Sequence, residues 1–308
     1  MTTPSVARSR VRWSLVVAFF VALVSVGVYA ADTPSAILIA LVPLAYTIPA
    51  FVWLDRLEPE PRAMRWNAFL WGAGVCTLVA SVANEVTAAT VGSSAALVAS
   101  APLAEEFMKS LGVLGAAKRG HLDTPLDGAV YAGYVGLGFA MVENVIYFSD
   151  AIVEDEIGFV FALRGLFSPF AHPYFTLWVG LAVGVAVRSG RSRRFAAMRG
   201  LVPAILLHAA WNASGLNFVF AILLLAHIAL FFVMVRRLRR MRRDEIALVR
   251  QRLAQLAFTH NVSPLELDTY GDLRATSRLR RQVPRNQRPA FDERRLMLTK
   301  LALQRPSC

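Results

Sequence analysis

Charge is scarce along most of this chain, and cysteine is scarcer still. Only 18% of the 308 residues are Asp, Glu, Lys or Arg, less than a soluble domain of this size carries. An ordinary water-soluble globule is thereby excluded. Two cysteines, Cys76 inside an apolar block and Cys308 at the end, do not indicate a disulfide framework. No HExxH sequence occurs, so the most specific motif of zinc hydrolases is missing. No internal repeat of the kind that marks many transporters stands out. No nucleic-acid motif accompanies the arginines, so nucleic acid is not an expected partner.

What is present is apolar residue in blocks. The chain is 56% hydrophobic, with a mean hydropathy of +0.48. The blocks run to roughly 20 residues, the length that crosses a hydrocarbon core of about 30 Å. Backbone groups in lipid must be satisfied within the segment, so the blocks read as helices. The expected fold is all-α, a polytopic transmembrane bundle. Eight spans are read, near 13–31, 36–54, 66–83, 95–117, 128–149, 165–187, 200–214 and 216–235. The seventh is short and meets the eighth through Asn212-Ala213-Ser214-Gly215, so a re-entrant pair and a lower count are an alternative. The first block has an alternative reading as a signal peptide, with Val28-Tyr29-Ala30 resembling a cleavage site.

Charge orients the bundle. Arginines precede the first span and follow the second, sixth and eighth, and Lys118-Arg119 follows the fourth. The alternate connections carry Asp32, Glu85, Asp150, Glu154, Asp155 and Glu156. The positive-inside rule places the first set, and both termini, in the cytoplasm of a plasma-membrane protein. The chain divides into a span region, 1–235, and a basic tail, 236–308. The tail holds 18 basic and 7 acidic residues, a net +11 of the chain's +12. Anionic lipid headgroups are its expected partner. It reads as partly helical, over 243–259 and 293–304, and as disordered over 271–292, where Arg, Gln, Asn and Pro dominate.

Polar groups inside spans point to function, because a charge at bilayer depth costs about 2.5–3.5 kcal/mol on insertion scales. The fourth span carries Glu105, Glu106 and Lys109. Adjacent helical residues point about 100° apart, and Lys109 stands four residues after Glu105 on one face. That spacing pairs Lys109 with Glu105 and leaves Glu106 to bind and activate water as the general base. The fifth span holds Glu143 and Asn144 among four glycines, the sixth His172-Pro173, and the seventh His208 and Asn212 on one face. The glycines read as packing positions. His227 in the eighth span stands alone and reads as structural. Counting 12 residues from Lys118 puts Glu106 at a depth of about 18 Å, and 16 residues from Arg188 put His172 at about 24 Å. The groups can meet in one layer.

Carboxylate, histidine and amide suit hydrolysis. A glutamate takes a proton from water, and His and Asn donors stabilise an oxyanion. In a second scheme His172, His208 and Glu106 ligate zinc with an open fourth position. The metal-free scheme is preferred, because the spacing is not a known zinc signature. Outside enzymes, the same buried groups suit a proton or ion pathway, or a protease-like binding scaffold.

These residues resemble the PrsW family of intramembrane proteases, a branch of the group containing the CAAX prenyl proteases. The resemblance covers about residues 45–215. It rests on Leu54-Asp55-Arg56 with Glu58-Pro59-Glu60-Pro61, on EExxK at 105–109, and on Gly138-Phe139-Ala140 leading to Glu143-Asn144. His172-Pro173 with Phe175-Thr176, and His208 with Trp211-Asn212, complete it. It implies cleavage of membrane-associated protein substrates; the founding type acts on an anti-sigma factor from the extracytoplasmic side. It implies active-site roles for Glu105, Glu106, His172 and His208, with Asn212 matching the HxxxN pattern. Lys109, Glu143 and Asn144 stand as supporting residues.

Overall fold

Every regular element among the described residues is a helix. The computed structural model describes residues 17, 20–24, 26–28, 30–214, 220–257 and 260–303. Residues 13–16, 18, 19, 25 and 29 of the expected first span lie outside them, as do Gly215 and Cys308. Helices α1 (Ser35–Leu54), α2 (Arg62–Thr90), α3 (Ala101–Lys118) and α4 (Pro125–Val153) come first. A short helix α5 (Ile157–Phe161) runs on as a π-helical stretch, Ala162–Phe167. Then follow α6 (Ala171–Ser189), α7 (Arg193–Ser214) and α8 (Phe220–Leu256). The last three are α9 (Pro264–Tyr270), α10 (Leu273–Gln282) and α11 (Arg288–Leu303). Among the described residues, four stretches are long and apolar enough to cross a membrane: Ser35–Leu54, Arg62–Thr90, Pro125–Val153 and Ile157–Ser189. The apolar run of α3 is interrupted by Glu105, Glu106 and Lys109, and α7 begins with Arg193 and Arg194.

The chain forms two compact units. The first comprises residues up to Phe51 with Glu60–Phe232, the second Val52–Pro59 with residues from Val233 onward. At the centre of the first unit, α4 packs on α6, α2 and α3, while α7 packs on α6 and α3. Sequence sets the ends of α4. Thr124 Oγ1 accepts from Asp127 N, and Asp127 Oδ2 accepts from Thr124 N at 2.7 Å, a reciprocal cap with Pro125 in the first turn. At the far end Asp155 adopts φ 60°, which stops the helix. Helix α6 ends at Gly190 with φ 64°, a left-handed cap that glycine adopts without strain.

Glycine lets α4 and α6 touch along their backbones. A Cβ on Gly136 would stand 2.6 Å from Pro173 N, and one on Gly128 2.1 Å from Gly180 O. Neither distance is physically available to a side chain. The contact at Gly136 sets His172, next to Pro173, against the middle of α4.

The second unit has its own apolar core. Leu57, Val249, Leu253, Val262, Tyr270 and Leu298 are among its buried members. Ser263 and Glu266 cap α9 reciprocally. Arg294 donates to Glu266, and that bond is the first cause of a Glu266 carboxyl held down at about 2. Asp272 Oδ1 accepts from Arg274 N and Ala275 N to start α10, and Arg280 grips Asp292 at 2.7–2.9 Å. The expected disorder over 271–292 is therefore corrected: α10 and the start of α11 occupy it. Leu273 and Phe291 pack on the core, while Arg280 pairs with Asp292 and Arg288 donates to the carbonyls of Val283 and Arg281.

Candidate active site

Four of the expected site residues meet. Glu105, Glu106, His172 and His208 are all buried, and one donor atom from each lies within 4.8 Å of the others. Helix α3 supplies the carboxylates, the first turn of α6 supplies His172, and α7 supplies His208. Pro173 fits the first turn of α6, where a missing N–H costs nothing.

Lys109 is at the heart of the cluster. Its Nζ donates to Glu106 Oε1 at 2.8 Å, to Glu105 Oε2 at 3.2 Å and to His172 Nδ1 at 3.1 Å. It also lies 3.9 Å above the Phe139 ring, a cation–π contact. Sequence spacing pairs Lys109 with Glu105 alone; the structure corrects this. The long lysine stem brings one ammonium to carboxylates three and four residues back, since both positions neighbour it on a helix surface.

The two glutamates therefore differ in the opposite sense to the expectation. Glu106 Oε1 accepts from Lys109 and from His208 Nδ1 at 3.1 Å. Glu106 Oε2 lies 3.1 Å from Thr176 Oγ1. That hydroxyl also lies 3.0 Å from the His172 carbonyl. Its single proton serves one of the two, and the charged acceptor makes the stronger bond. Among the described residues Glu105 accepts one hydrogen bond, from Lys109. Its Oε2 stands 3.9 Å from His172 Nδ1 and 3.8 Å from His208 Nε2. Those separations are too long for direct hydrogen bonds, and suit one small molecule touching both sides.

The hydrogen-bond network assigns both tautomers. His172 Nδ1 accepts from Lys109, so Nε2 carries the proton and donates to Glu143 Oε2 at 2.5 Å. His208 Nδ1 donates to Glu106, which leaves Nε2 as a lone pair toward Glu105. Phe175 stacks on His208 with centroids 4.7 Å apart and planes at 16°.

Arg164 is a site residue that the sequence reading missed. Its Nη2 donates to Glu143 Oε2 at 2.5 Å and its Nε to Asn144 Oδ1 at 2.8 Å. The guanidinium lies 3.9 Å over the Tyr147 ring. Arg164, Glu143, His172 and Lys109 thus form one continuous polar chain. The signal was available: Arg164 is a lone basic residue in a connection that is otherwise acidic and apolar. Asn212 is not brought into the cluster. Its Nδ2 donates to Leu97 O at 2.9 Å and ties α7 to the turn before α3. His227 stays apart as well, with ring nitrogens 2.8 Å from the carbonyls of Leu223 and Leu207.

Comparison with known proteins points the same way. A family described as "PrsW family intramembrane metalloprotease" matches residues 60–237. "Protease PrsW" of Geobacillus kaustophilus is 29% identical over 165 residues, covering 53% of this chain and 71% of that protein. "Protease PrsW" of Clostridioides difficile is 29% identical over 189 residues, covering 57% of this chain and 76% of its own length. No solved structure gives a significant match.

Proposed function

The chain belongs to the PrsW family of intramembrane proteases, and from that premise we propose that it is an endopeptidase of membrane-associated proteins using a glutamate-activated water. The observation that carries the mechanism is the spacing around Glu105 Oε2, 3.8 Å from His208 Nε2 and 3.9 Å from His172 Nδ1. A water seated there reaches the glutamate and the His208 lone pair together. Glu105 takes one proton as the water oxygen bonds to the scissile carbonyl carbon. The carbon–nitrogen bond then breaks, and the same proton passes from Glu105 to the leaving amine. Lys109, 3.2 Å from Glu105, opposes the negative charge that builds on the carbonyl oxygen. Glu106 holds Lys109 and His208 in place, and Glu143 with Arg164 does the same for His172. This reading moves the base from Glu106, favoured by sequence spacing, to Glu105, whose carboxylate is the less occupied.

The donor set also fits the divalent ion that the family description implies. Glu106, His172 and His208 would hold it, with Glu143 behind His172 as the orienting carboxylate. When bound, such an ion polarises a carbonyl and acidifies water. Lys109 already places a positive charge against these donors and competes with it there. The proposal keeps Lys109 as the resident charge. Stoichiometric zinc in purified active protein, lost together with activity on chelation, would contradict it.

The substrate class is a membrane protein cut near or within its spanning segment, an anti-sigma factor being one such substrate. We also propose eight spans in the plasma membrane, cytoplasmic termini, and a tail held to anionic headgroups by its basic residues. The functional test is a comparison of membrane-protein fragments in cells carrying the wild-type chain and Glu105→Gln. Fragments confined to the wild type support an endopeptidase, and identical fragment sets refute it.

A further inference from the structure

An apolar cavity of about 280 Å³ lies beside the Glu/His cluster in the first unit. Its lining includes Phe175, Trp211, Leu224, Ile228 and Phe231, with Ala171 next to His172 in sequence. Phe175 is the shared wall: one face stacks on His208, and the ring also borders the cavity. A group resting on Phe175 is thus one ring away from a residue of the proposed active site. The cavity mouth is edged by Leu166, 61% exposed, Phe167, 79% exposed, and Ile228, 42% exposed. These are apolar side chains without cover, at a place where a chain can enter.

The chemistry of the lining selects its occupant. Three of the polar side chains that border the cavity already face backbone carbonyls, while a fourth, Tyr174, keeps a buried hydroxyl with no hydrogen-bond partner among the described residues. Tyr46 donates to Gly165 O, Ser168 Oγ donates to Leu163 O at 2.8 Å, and His227 lies 2.8 Å from two carbonyls. Among the described residues no Asp, Glu, Lys or Arg lines it. A charged occupant would therefore lose its hydration with little in return, and an occupant that is mostly apolar leaves only the Tyr174 hydroxyl to satisfy. The size decides further. Drug-sized pockets run from about 300 to 1,000 Å³, so this space suits one or two side chains and not a folded segment.

We propose that the cavity is a specificity pocket that takes a large apolar side chain, of the Leu, Met or Phe class, from the substrate residue flanking the scissile bond. This rests on the endopeptidase reading above and adds the residue preference of the cut. Phe175 couples the two: the side chain packs on one part of the ring while His208 stacks on its face, so a seated substrate has its backbone beside Glu105. A lipid acyl chain has similar chemistry, but the wall shared with His208 favours an occupant that must also reach the reacting groups.

The test uses the full chain in nanodiscs and a mixture of single-span peptides, with every cut mapped by mass spectrometry. The wild type is expected to show Leu, Met or Phe enriched at one fixed position beside the cleaved bond. Ile228→Trp and Leu224→Phe fill the cavity from α8 and are expected to shift that position toward Ala and Gly. The preference should change by about tenfold or more, the discrimination an apolar pocket achieves. An unchanged profile in both variants, with cutting intact, overturns the pocket and leaves the protease reading standing. A second arm does not depend on cleavage. Peptides carrying benzoylphenylalanine are photolysed on Glu105→Gln, and labels are expected at residues 224–231. Labels there without any cleavage by the wild type would sink the protease reading and keep the pocket. A photoreactive phospholipid that labels the same residues and is not displaced by peptide overturns it in favour of lipid.

Discussion

His172 donates from Nε2 to Glu143 Oε2 across 2.5 Å, and its Nδ1 is thereby left to accept from Lys109. The glutamate acts at a distance from the reacting atoms, by fixing which ring nitrogen faces them. Glu143→Gln keeps the shape and can present an N–H where an acceptor is needed. Turnover is expected to fall about 10–100-fold, the usual cost of losing a partner that orients a site histidine. Nitrogen-15 shifts of His172 supply an independent readout, because the Nε2–H tautomer should lose population. Unchanged shifts together with unchanged turnover would remove Glu143 from the site.

Lys109 neutralises two carboxylates that, among the described residues, have no other lysine or arginine in hydrogen-bond contact. Lys109→Met would strand both in a buried cluster, and breaking a buried pair costs about 3–5 kcal/mol. The protein in detergent should show a large fall in thermal stability. Adding Glu106→Gln to Lys109→Met should recover part of the loss, since the two groups share one network. Strictly additive losses would show that the ammonium does not bind Glu106 in solution.

Sequence spacing exposed the candidate cluster because charge in a span is costly and so rarely accidental. Glu105, Glu106, His172 and His208 were all legible on that ground. Their division of labour was not. One ammonium serving two carboxylates depends on the lysine rotamer, and the contacts of Thr176 and His208 to Glu106 come from α6 and α7. The bond from Asn212 to Leu97 O was not legible for a related reason, since helix-face spacing does not reveal a backbone carbonyl on a neighbouring element. Helices overlap the segments read from the second to the eighth. The tail was misread because arginine-rich composition resembles disorder, and the residue that completes its core, Leu57, lies in a connection far away in sequence.

Leu57 gives that point a measurable form. It is 3% exposed and packs with Val249, Leu253 and Leu298 in the second unit. Leu57→Ala should cost about 2–5 kcal/mol, as buried leucine truncations do. Hydrogen exchange should accelerate across 264–303 and leave the α4 amides unaffected. Exchange as fast in the wild type as in the variant would restore the disordered reading.

Topology has its own check. A reporter fused after Arg243 should behave as cytoplasmic, and one placed between Glu154 and Glu156 as external. The reverse pattern would overturn the charge-based orientation.

Most direct of all is the turnover of one reconstituted membrane peptide by the wild type, Glu105→Gln and Thr90→Ala, at equal amounts of folded, inserted protein. Glu105→Gln should still bind the peptide, while cleavage falls by about 10²–10⁴-fold, the contribution of a positioned general base. Thr90→Ala, which removes an exposed hydroxyl bonded to the Val86 carbonyl of its own helix, should still cut. Cleavage by Glu105→Gln at a rate near the wild type would contradict the assignment of Glu105 as the group that activates water.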